Sequence, residues 1–457
     1  MASAIARIGA VVLCCACGSA QAQLGTINHD TTGTGMAYLA YDTAIHVLYG
    51  APSMAVWNGV EVNRIWQWAN GTFNSVGGGL SQAFIRGLDV YEGNVFLSGD
   101  LNVWTNDYDI HHIGRWDGTA WHSSGEPNAT TWLFRSVEDL WCNGNFDSIA
   151  GQPVAGQLAR LVDGGWETFG SPAPSVNSFR AAAYYAGEYY FGGNLLPPWI
   201  AEDIVKWDGA EWQSVGGGLQ SSPLGEVTSM QVYGGRLIVG GWIDAPPDPG
   251  RSVICWNGLS WEGFFPEVVT NLSPWCRDLE IIDGKLYLTG SWVFAGDDRV
   301  YAVLIYDGEH LCGVGSTTIA EYGHGFQITG NADSIFFGTT EYILSGDTVN
   351  YYAVWPVANG PDTCVTIPTG MREAARDERL HVYPNPAVAE LTIDWSGSKQ
   401  GPAEVHVFDM LGRCVLSGQR TAFRNGRMTM DVSALVPGMY AGQVQGVKRG
   451  RFQFLKE

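Results

Sequence analysis

The residues best spaced for chemistry lie in one short segment, TNDYDIHHIG, at residues 105–114. If this segment is extended, Asp107, Asp109 and His111 point to the same side, because side chains alternate along a strand. Two carboxylates and an imidazole are ligands that a divalent cation accepts. Three residues from one strand seldom complete a metal site, so a polar loop or edge strand is the simpler interpretation. We predict neither a metal nor a cofactor.

Two tryptophans, Trp104 and Trp199, are the candidates for contact with a ligand. Each follows shortly after a glycine that ends a predicted hairpin, which puts both on loops at one face of the repeat described below. An exposed aromatic ring there could stack on a sugar, and packing of each ring under its own loop is the alternative. Trp242 and Trp292 come directly after a hairpin and fit the core of the repeat better.

The sequence contains no recognisable set of catalytic residues. The glycine triplets at residues 77–79 and 216–218 lack the lysine and helix start of a phosphate-binding loop, and they recur inside a repeat, which indicates turns. The tyrosine–cysteine pair and histidines of copper-radical propeller oxidases have no matching motif. We predict no catalytic residue and favour a noncatalytic protein. An enzyme whose residues are scattered over several repeats stays open.

The composition is that of a chain of short strands and tight turns. The 457 residues include 60 Gly and are 12% aromatic, yet only 16% are charged, against about 25% in ordinary domains. Glycine and aromatic residues favour turns and strands, and no long stretch has sustained helical periodicity. These features predict an all-β protein.

The net charge of −21 is unevenly distributed along the chain. From Arg372 onward there are 12 Lys and Arg against 9 Asp and Glu, which leaves 13 basic and 37 acidic residues before it. This change marks a domain boundary. The acidic body argues against nucleic acid and anionic membrane as partners.

Two short signatures alternate over residues 36–355. One is an aromatic residue followed by Asp or Asn and Gly, with a second aromatic shortly after; its anchors recur about every 45 to 50 residues. The other is a hairpin ending in glycine, which occurs seven times. The clear copies have anchors at Trp116, Trp207 and Trp256, and looser copies have anchors at Trp68, Leu161 and Tyr306.

A period of this length built from two hairpins is typical of a four-stranded β-propeller blade. We predict a propeller over residues 27–357, with seven blades favoured and six or eight open, in which Ile27–Ala40 adds a strand to the last blade. Trp116, Trp207 and Trp256 share one repeat position, so we expect them buried in equivalent places between blades. The pattern is similar to kelch-type and related extracellular propellers, although the full kelch consensus is absent.

The end of the chain carries several short motifs in a fixed order. They comprise Tyr383-Pro384-Asn385-Pro386, then Asp409 with Gly412-Arg413, then Leu435-x-Pro437-Gly438-x-Tyr440. Apolar and polar residues alternate around them, as in half-buried strands. Residues 380–457 resemble the C-terminal sorting domain of proteins exported by the bacterial type IX secretion system. The resemblance implies a small Ig-like β-sandwich that the secretion machinery recognises, and a tail that is removed at the surface.

The N-terminus has the features of an export signal. Arg7 precedes an apolar run at residues 8–16 that is too short to span a bilayer, and Ala20-Gln21-Ala22 suits a signal peptidase. We predict a signal peptide at residues 1–22, cut before Gln23; lipidation at Cys17 is the alternative. Six cysteines follow, and an oxidising periplasm allows disulfides whose pairing the sequence leaves open. Cys414 fits a small buried residue of a strand.

These observations combine into one interpretation. Residues 27–357 form the propeller, residues 358–379 a linker, and residues 380–457 the sorting domain. The protein is expected to pass through the periplasm to the cell surface or the medium and to bind an extracellular glycan or protein without catalysis. An extracellular glycan-acting hydrolase or lyase with its site in the propeller channel is the alternative.

Overall fold

The computed structural model describes residues 25–26, 38–52, 56–57, 60–80, 83–104, 109–136, 138–154, 157–170, 179–195, 203–219, 225–243, 252–264, 269–271, 275–294, 297, 299–318, 325–339, 343–344, 347–348, 352–366, 378–379, 381–394, 402–409, 414–422, 427–445 and 449–456. Several predicted features therefore lie outside the described residues. These are the signal peptide at residues 1–22, Asp107, Trp199, Gly412, Arg413 and residues 367–377 of the linker.

The described residues before 357 form seven antiparallel sheets of four main strands each. Their strands, from first to fourth, are as follows: sheet I, Tyr38–Asp42, Val47–Ala51, Trp66–Ala69 and Thr72–Ser75; sheet II, Phe84–Tyr91, Asn94–Trp104, Asp109–Trp116 and Trp121–Ser123; sheet III, Thr131–Arg135, Leu140–Gly144, Leu158–Val162 and Gly165–Thr168; sheet IV, Phe179–Tyr185, Glu188–Gly193, Ile204–Trp207 and Trp212–Ser214.

The remaining three sheets continue this order. They are sheet V, Glu226–Tyr233, Arg236–Trp242, Val253–Trp256 and Trp261–Gly263; sheet VI, Asp278–Ile282, Lys285–Phe294, Arg299–Tyr306 and His310–Thr318; and sheet VII, Gly325–Gly330, Ser334–Thr339, Tyr352–Pro356 and Gly25–Thr26. Short ribbons pair Val56–Trp57 with Val60–Glu61, Ser148–Ile149 with Gln152–Pro153, and Ile343–Leu344 with Asp347–Thr348. Val269–Asn271 pairs with the end of Lys285–Phe294.

The seven sheets follow one another in a closed cycle. The first strand of each sheet contacts the first strands of the sheets before and after it, and the first strand of sheet VII contacts that of sheet I. Gly25–Thr26 completes sheet VII by pairing with Tyr352–Pro356. Of the predicted closing segment 27–40, residues 27–37 lie outside the described residues and residues 38–40 belong to sheet I. The all-β class is confirmed, and we interpret the cycle as the seven-bladed propeller that the repeat predicts.

The Asp-Gly and Asn-Gly signature forms the turn between the third and fourth strands. In four sheets the side-chain oxygen Oδ1 of the Asp or Asn accepts hydrogen bonds from the backbone N–H groups two and three residues later, at 2.6–2.9 Å. The glycine in these turns has φ between 93° and 99°, a region that side chains with a Cβ avoid. The residues involved are Asp117, Asp208, Asn257 and Asp307.

The tryptophan after this turn joins neighbouring sheets. Trp121 donates its indole N–H to Val76 O of sheet I at 3.1 Å, and Trp212 donates to Gly170 O beside sheet III at 2.9 Å. Trp166 and Trp261 make the equivalent bonds to the sheet before theirs. The expected equivalence of the tryptophans before the turn is therefore wrong in part. Trp256 is 7% exposed, whereas Trp116 and Trp207 are only half-buried and flank the buried ring five residues later.

Two glycines of the repeat make room for these rings. Gly77 and Gly216 open the Gly-Gly-Gly triplets with φ of 57° and 59°. A Cβ at Gly216 would lie 2.6 Å from the Trp256 ring and 2.7 Å from Trp261 Nε1. A Cβ at Gly77 would lie equally close to Trp116 and Trp121, the tryptophans of sheet II. The triplets are therefore turns packed under the next sheet, as the sequence predicts.

The inner edges of the first strands are hydrogen-bonded by side chains of the preceding sheet. Backbone N–H groups of Leu133, Leu279, Ile328 and Leu39 donate to side-chain oxygens of Ser98, Ser229, Asp278 and Gln327, at 2.8–3.2 Å. The last of these bonds joins sheet VII to sheet I. In each of these four sheets one backbone N–H of the edge that faces the axis is therefore bonded to the preceding sheet.

After sheet VII the chain returns to sheet VI. A short 3-10 turn at Val357–Asn359 leads to the strand Thr363–Thr366, which pairs with His310–Thr318 as a fifth main strand. Cys312 and Cys364 form a disulfide across this pair, while Cys142, Cys255 and Cys276 are free and buried. The described start of the predicted linker thus belongs to sheet VI.

The C-terminal domain consists of two sheets around its own core. The five-stranded sheet has the order Glu378–Arg379, Arg449–Lys456, Gly438–Gln445, Pro402–Asp409, Cys414–Ala422. The three-stranded sheet has the order His381–Tyr383, Glu390–Asp394, Arg427–Asp431. The buried side chains of this core all come from residues 387–454.

The C-terminal motifs hold this domain together. Leu435 and Tyr440 are buried, and the Tyr440 hydroxyl donates to Val436 O at 2.8 Å. Asn385, between two cis proline peptides, accepts the Leu455 N–H at 2.8 Å and so ties the Pro-Asn-Pro turn to the last strand. Asp409 ends its strand opposite Tyr440.

Candidate functional site

The residues singled out for chemistry lie on an extended hairpin of sheet II. Trp104 does not lie in a loop as predicted, because the second strand continues to Trp104 and pairs there with Asp109. His111 Nε2 lies 3.1 Å from Asp109 Oδ1, so these two side chains share a side as expected. Among the described residues no group of three His, Cys, Asp or Glu side chains could hold a metal ion.

A different set of residues meets where the first strands begin. Arg86 of sheet II and Arg180 of sheet IV lie over the Trp132 ring of sheet III, with guanidinium carbons 5.0 and 5.1 Å from its centroid. Each of these residues is within two positions of the start of its strand. First strands of successive sheets therefore begin at the same end of the cycle.

The same end carries one such residue from every sheet. Arg180 Nε lies 3.9 Å from Glu226 Oε2 of sheet V, and Arg277 of sheet VI lies 5.4 Å from the Phe326 ring of sheet VII. Burial raises the pKa of Tyr38 in sheet I, and the charges of Arg180 and Arg86 lower it, so this phenol lies near both. We call this set the arginine–aromatic cluster: Tyr38, Arg86, Trp132, Arg180, Glu226, Arg277 and Phe326.

Further aromatic rings border the cluster. Arg86 also lies 4.9 Å from the Phe84 ring, which is 55% exposed. Arg277 lies 4.1 Å from the Trp275 ring, which in turn packs against Trp242 at 5.1 Å. Guanidinium groups over aromatic faces gain a cation–π attraction of about 0.5–2 kcal/mol each.

The three arginines are incompletely paired. Arg86 is 3.4 Å from Asp100, and both Arg86 and Arg180 keep about a third of their side-chain surface exposed. Among the described residues no atom accepts a hydrogen bond from Arg86 Nε, Arg180 Nη1 or Arg277 Nε. Burial lowers the pKa of Arg277, and the charge of Glu226 counters this effect.

A second group of charges lies one to three residues further along the same strands. Asp89 of sheet II pairs with Arg135 of sheet III at 3.3 Å. Burial raises the pKa of Asp278 to about 6, and burial with the charges of Asp278 and Asp89 raises that of Glu280 to about 8. These carboxyl groups therefore interact electrostatically across the axis, from sheets II and VI.

The repeat contained a signal for the cluster that tryptophan spacing did not reveal. An aromatic residue stands one or two positions before each arginine, in Phe84-x-Arg86, Phe179-Arg180 and Trp275-x-Arg277. Each of these segments lies just before a hairpin of the repeat. Aligning the starts of the hairpins would therefore have placed the three arginines at similar repeat positions.

The C-terminal domain of the chain matches a known protein family. Residues 381–452 match the family model of the secretion system C-terminal sorting domain. No curated protein matches the chain. No helix in the described part of the chain is long and apolar enough to cross a membrane.

Solved structures give weak similarities. One is described as the extracellular domain of a one component system from B. thetaiotaomicron, with 10% identity, a TM-score of 0.34, and coverage of 92% of this chain and 69% of that chain. Another is the computationally designed Ika8 protein, with 12% identity, a TM-score of 0.38, and coverage of 71% and 98%. TM-scores this low carry no argument about fold or function.

The family match covers the Tyr383-to-Tyr440 motifs and so confirms the resemblance seen in the sequence. A sorting tail of this kind directs a protein to the cell surface or the medium. Residues 381–452 are therefore a secretion system C-terminal sorting domain, and the chain that carries it is a secreted or cell-surface protein of the type IX route.

Proposed function

We propose that the protein is a noncatalytic binding or adhesion module whose ring of sheets holds an extracellular glycan or protein. The observation that carries this proposal is the arginine–aromatic cluster, to which every sheet of the cycle contributes one residue. Guanidinium groups bind anionic oxygens, and half-exposed aromatic rings offer flat apolar faces. A ligand at this end would touch several sheets at once.

Export is proposed to use both ends of the chain. The signal peptide at residues 1–22 brings the protein into the periplasm, and residues 380–457 engage the type IX secretion machinery. Residues 27–357 act as the kelch-like propeller that is delivered.

Trp104 and Trp199 are proposed as further ligand contacts. Trp104 ends the second strand of sheet II. In a propeller the second strand runs back to the end at which the first strand starts. Replacement of either tryptophan by alanine is therefore expected to weaken ligand binding with little loss of stability.

Binding and turnover measured together test the proposal. The purified full chain is applied to a glycan array and, in parallel, to a broad screen for glycan hydrolase and lyase activity. We expect retention of at least one glycan class without turnover, and weaker retention by Trp104→Ala. Turnover of any glycan would contradict the noncatalytic role.

One observation favours the alternative of a glycan-acting hydrolase or lyase with its site along the axis. With a pKa of about 8, Glu280 is protonated at neutral pH, as a general acid must be, and Asp278 lies near it. If the alternative holds, the screen finds turnover and Glu280→Gln abolishes it while binding persists. Turnover unaffected by Glu280→Gln would exclude this site.

A further inference from the structure

We propose that the arginine–aromatic cluster selects an acidic glycan, one whose sugars carry carboxylate or sulfate groups. This inference rests on the proposed binding function and specifies its ligand. It assigns Arg86 and Arg180 to the anionic groups and the neighbouring aromatic faces to the sugar rings.

The acidic partners of Arg86 and Arg180 lie too far away for strong hydrogen bonds. Asp100 Oδ2 lies 3.4 Å from Arg86 Nη2, and Glu226 Oε2 lies 3.9 Å from Arg180 Nε. Strong charge-assisted bonds are about 2.7–2.9 Å long, and this protein forms them elsewhere, as between Lys206 and Glu188 at 2.8 Å. The cluster arginines are therefore held mainly by aromatic faces, and the exposed third of the Arg86 and Arg180 side chains can meet an outside anion.

The charge at the cluster differs in sign from that of the body. The body before Arg372 has 13 basic and 37 acidic residues. Among the described residues three arginines nevertheless gather where the first strands begin, and Asp100 and Glu226 are the carboxylates paired with two of them. Because like charge on the rest of the body repels an extended polyanion, the ligand must place its charge at the cluster alone. A short acidic oligosaccharide meets that condition, and nucleic acid does not.

The contacts available at this end of the cycle favour a glycan over an acidic peptide. A peptide that binds by strand addition needs an open sheet edge, and an acidic peptide held by the arginines alone brings no sugar ring to stack on the exposed Phe84 ring. In four of the seven sheets one backbone N–H of the inner edge is already bonded by a side chain of the preceding sheet, namely Ser98, Ser229, Asp278 or Gln327. A sugar needs no such edge, since it can stack on an exposed flat ring such as Phe84.

Below the cluster the axis becomes acidic. Asp89 follows Arg86 by three residues, as Glu280 follows Arg277, a step of about 10 Å along a strand. The positive charge at that depth, Arg135, is already paired with Asp89, so an anionic ligand is held at the entrance rather than drawn into the axis.

Matched ligands test the charge requirement. Calorimetry with the purified full chain compares oligogalacturonate with its fully methyl-esterified form, and chondroitin sulfate oligosaccharides with their desulfated form. We expect at least one acidic form to bind about tenfold or more tightly than its neutralised twin, since a charged hydrogen bond contributes about 1.5–3 kcal/mol. Raising the NaCl concentration should reduce the difference.

Matched variants test the residues. The double variant Arg86→Gln with Arg180→Gln should lose about 10- to 100-fold in affinity for the acidic form, and the corresponding lysine variants should lose less. Arg115→Gln removes the same charge near the end of a third strand and should change affinity less than about twofold. Thermal unfolding of each variant establishes that it is folded.

Each outcome decides the proposal. Equal binding of acidic and neutralised glycans, or an unaffected double variant that is folded, overturns the inference and leaves the binding function intact. Binding of polyglutamate as tight as that of the acidic glycan overturns the glycan assignment. Retention of no glycan or protein probe defeats the proposed function itself, and with it the inference.

Discussion

At the scale of single residues, the raised pKa of the Glu280 carboxyl group makes the stability of the ring depend on pH. Its pKa is raised to about 8 by burial and by the charges of Asp278 and Asp89, from an ordinary value of 4.5. The folded chain thus binds a proton that the unfolded chain releases above about pH 4.5. This contribution to stability is complete at low pH and declines as the pH rises toward 8.

Glu280→Gln should remove this pH dependence. Glutamine keeps the shape and can still accept the hydrogen bond that Gln231 Nε2 donates at 3.4 Å. We expect the variant to melt several degrees above the parent near pH 8, since one pKa unit is worth about 1.4 kcal/mol, and to match it near pH 5. Differential scanning calorimetry across pH measures this.

The control for this prediction is Glu167→Gln, on an exposed position of sheet III. It should leave the melting temperature unchanged at every pH. A Glu280→Gln variant that is no more stable than the parent at pH 8 would show that Glu280 is ionised in the folded state.

At the scale of elements, the tryptophan after the turn should matter more than the one before it. Trp212 is 7% exposed and bonds Gly170 O at 2.9 Å, whereas Trp207 is half-buried. Trp212→Ala should cost about 3–5 kcal/mol of unfolding free energy, because it leaves a cavity and an unpaired carbonyl. Trp207→Ala should cost less, and chemical denaturation compares the two. An equal or larger loss for Trp207→Ala would contradict this ranking.

Two adjacent glycines separate packing from backbone strain. Gly216 and Gly217 both have positive φ, at 59° and 86°, but a Cβ at Gly217 would have no atom within 4 Å. Gly217→Ala should therefore cost about 1–2 kcal/mol through strain alone. Gly216→Ala should cost at least about 1 kcal/mol more, because its methyl group meets the Trp256 and Trp261 rings. Equal losses of unfolding free energy would mean that the rings move aside freely.

These elements also mark what the sequence could predict. The Asp-Gly turns, the glycine-ended hairpins and their period give the all-β class, because turn chemistry is local. Which tryptophan is buried depends on the neighbouring sheet, and no local pattern contains that information. The arginine–aromatic cluster was missed for the same reason: Arg86, Trp132 and Arg180 stand about 46 to 48 residues apart and meet only when successive sheets pack.

At the scale of the whole molecule, the tail and the ring have separate cores. The buried apolar side chains of the sorting domain come from residues 387–454, and those of the sheets come from earlier residues. Domains with their own cores unfold as separate units. The sorting domain therefore directs the protein to the cell surface or the medium. We expect the ring to be stable without it.

Removal of the residues after Arg379 tests this separation. In a host with type IX secretion, we expect the truncated protein to stay in the periplasm and to melt within about 2 °C of the full chain's main transition, since no sheet of the ring loses a strand. Cell fractionation and calorimetry measure the two effects on one variant. As a control for the motifs, Tyr440→Phe removes only the hydroxyl bond to Val436 O, at about 1 kcal/mol in the tail alone. It should leave the ring transition unchanged. Surface delivery of the truncated chain would refute a sorting role for residues 380–457, whereas a large drop in its main transition would refute the independence of the ring.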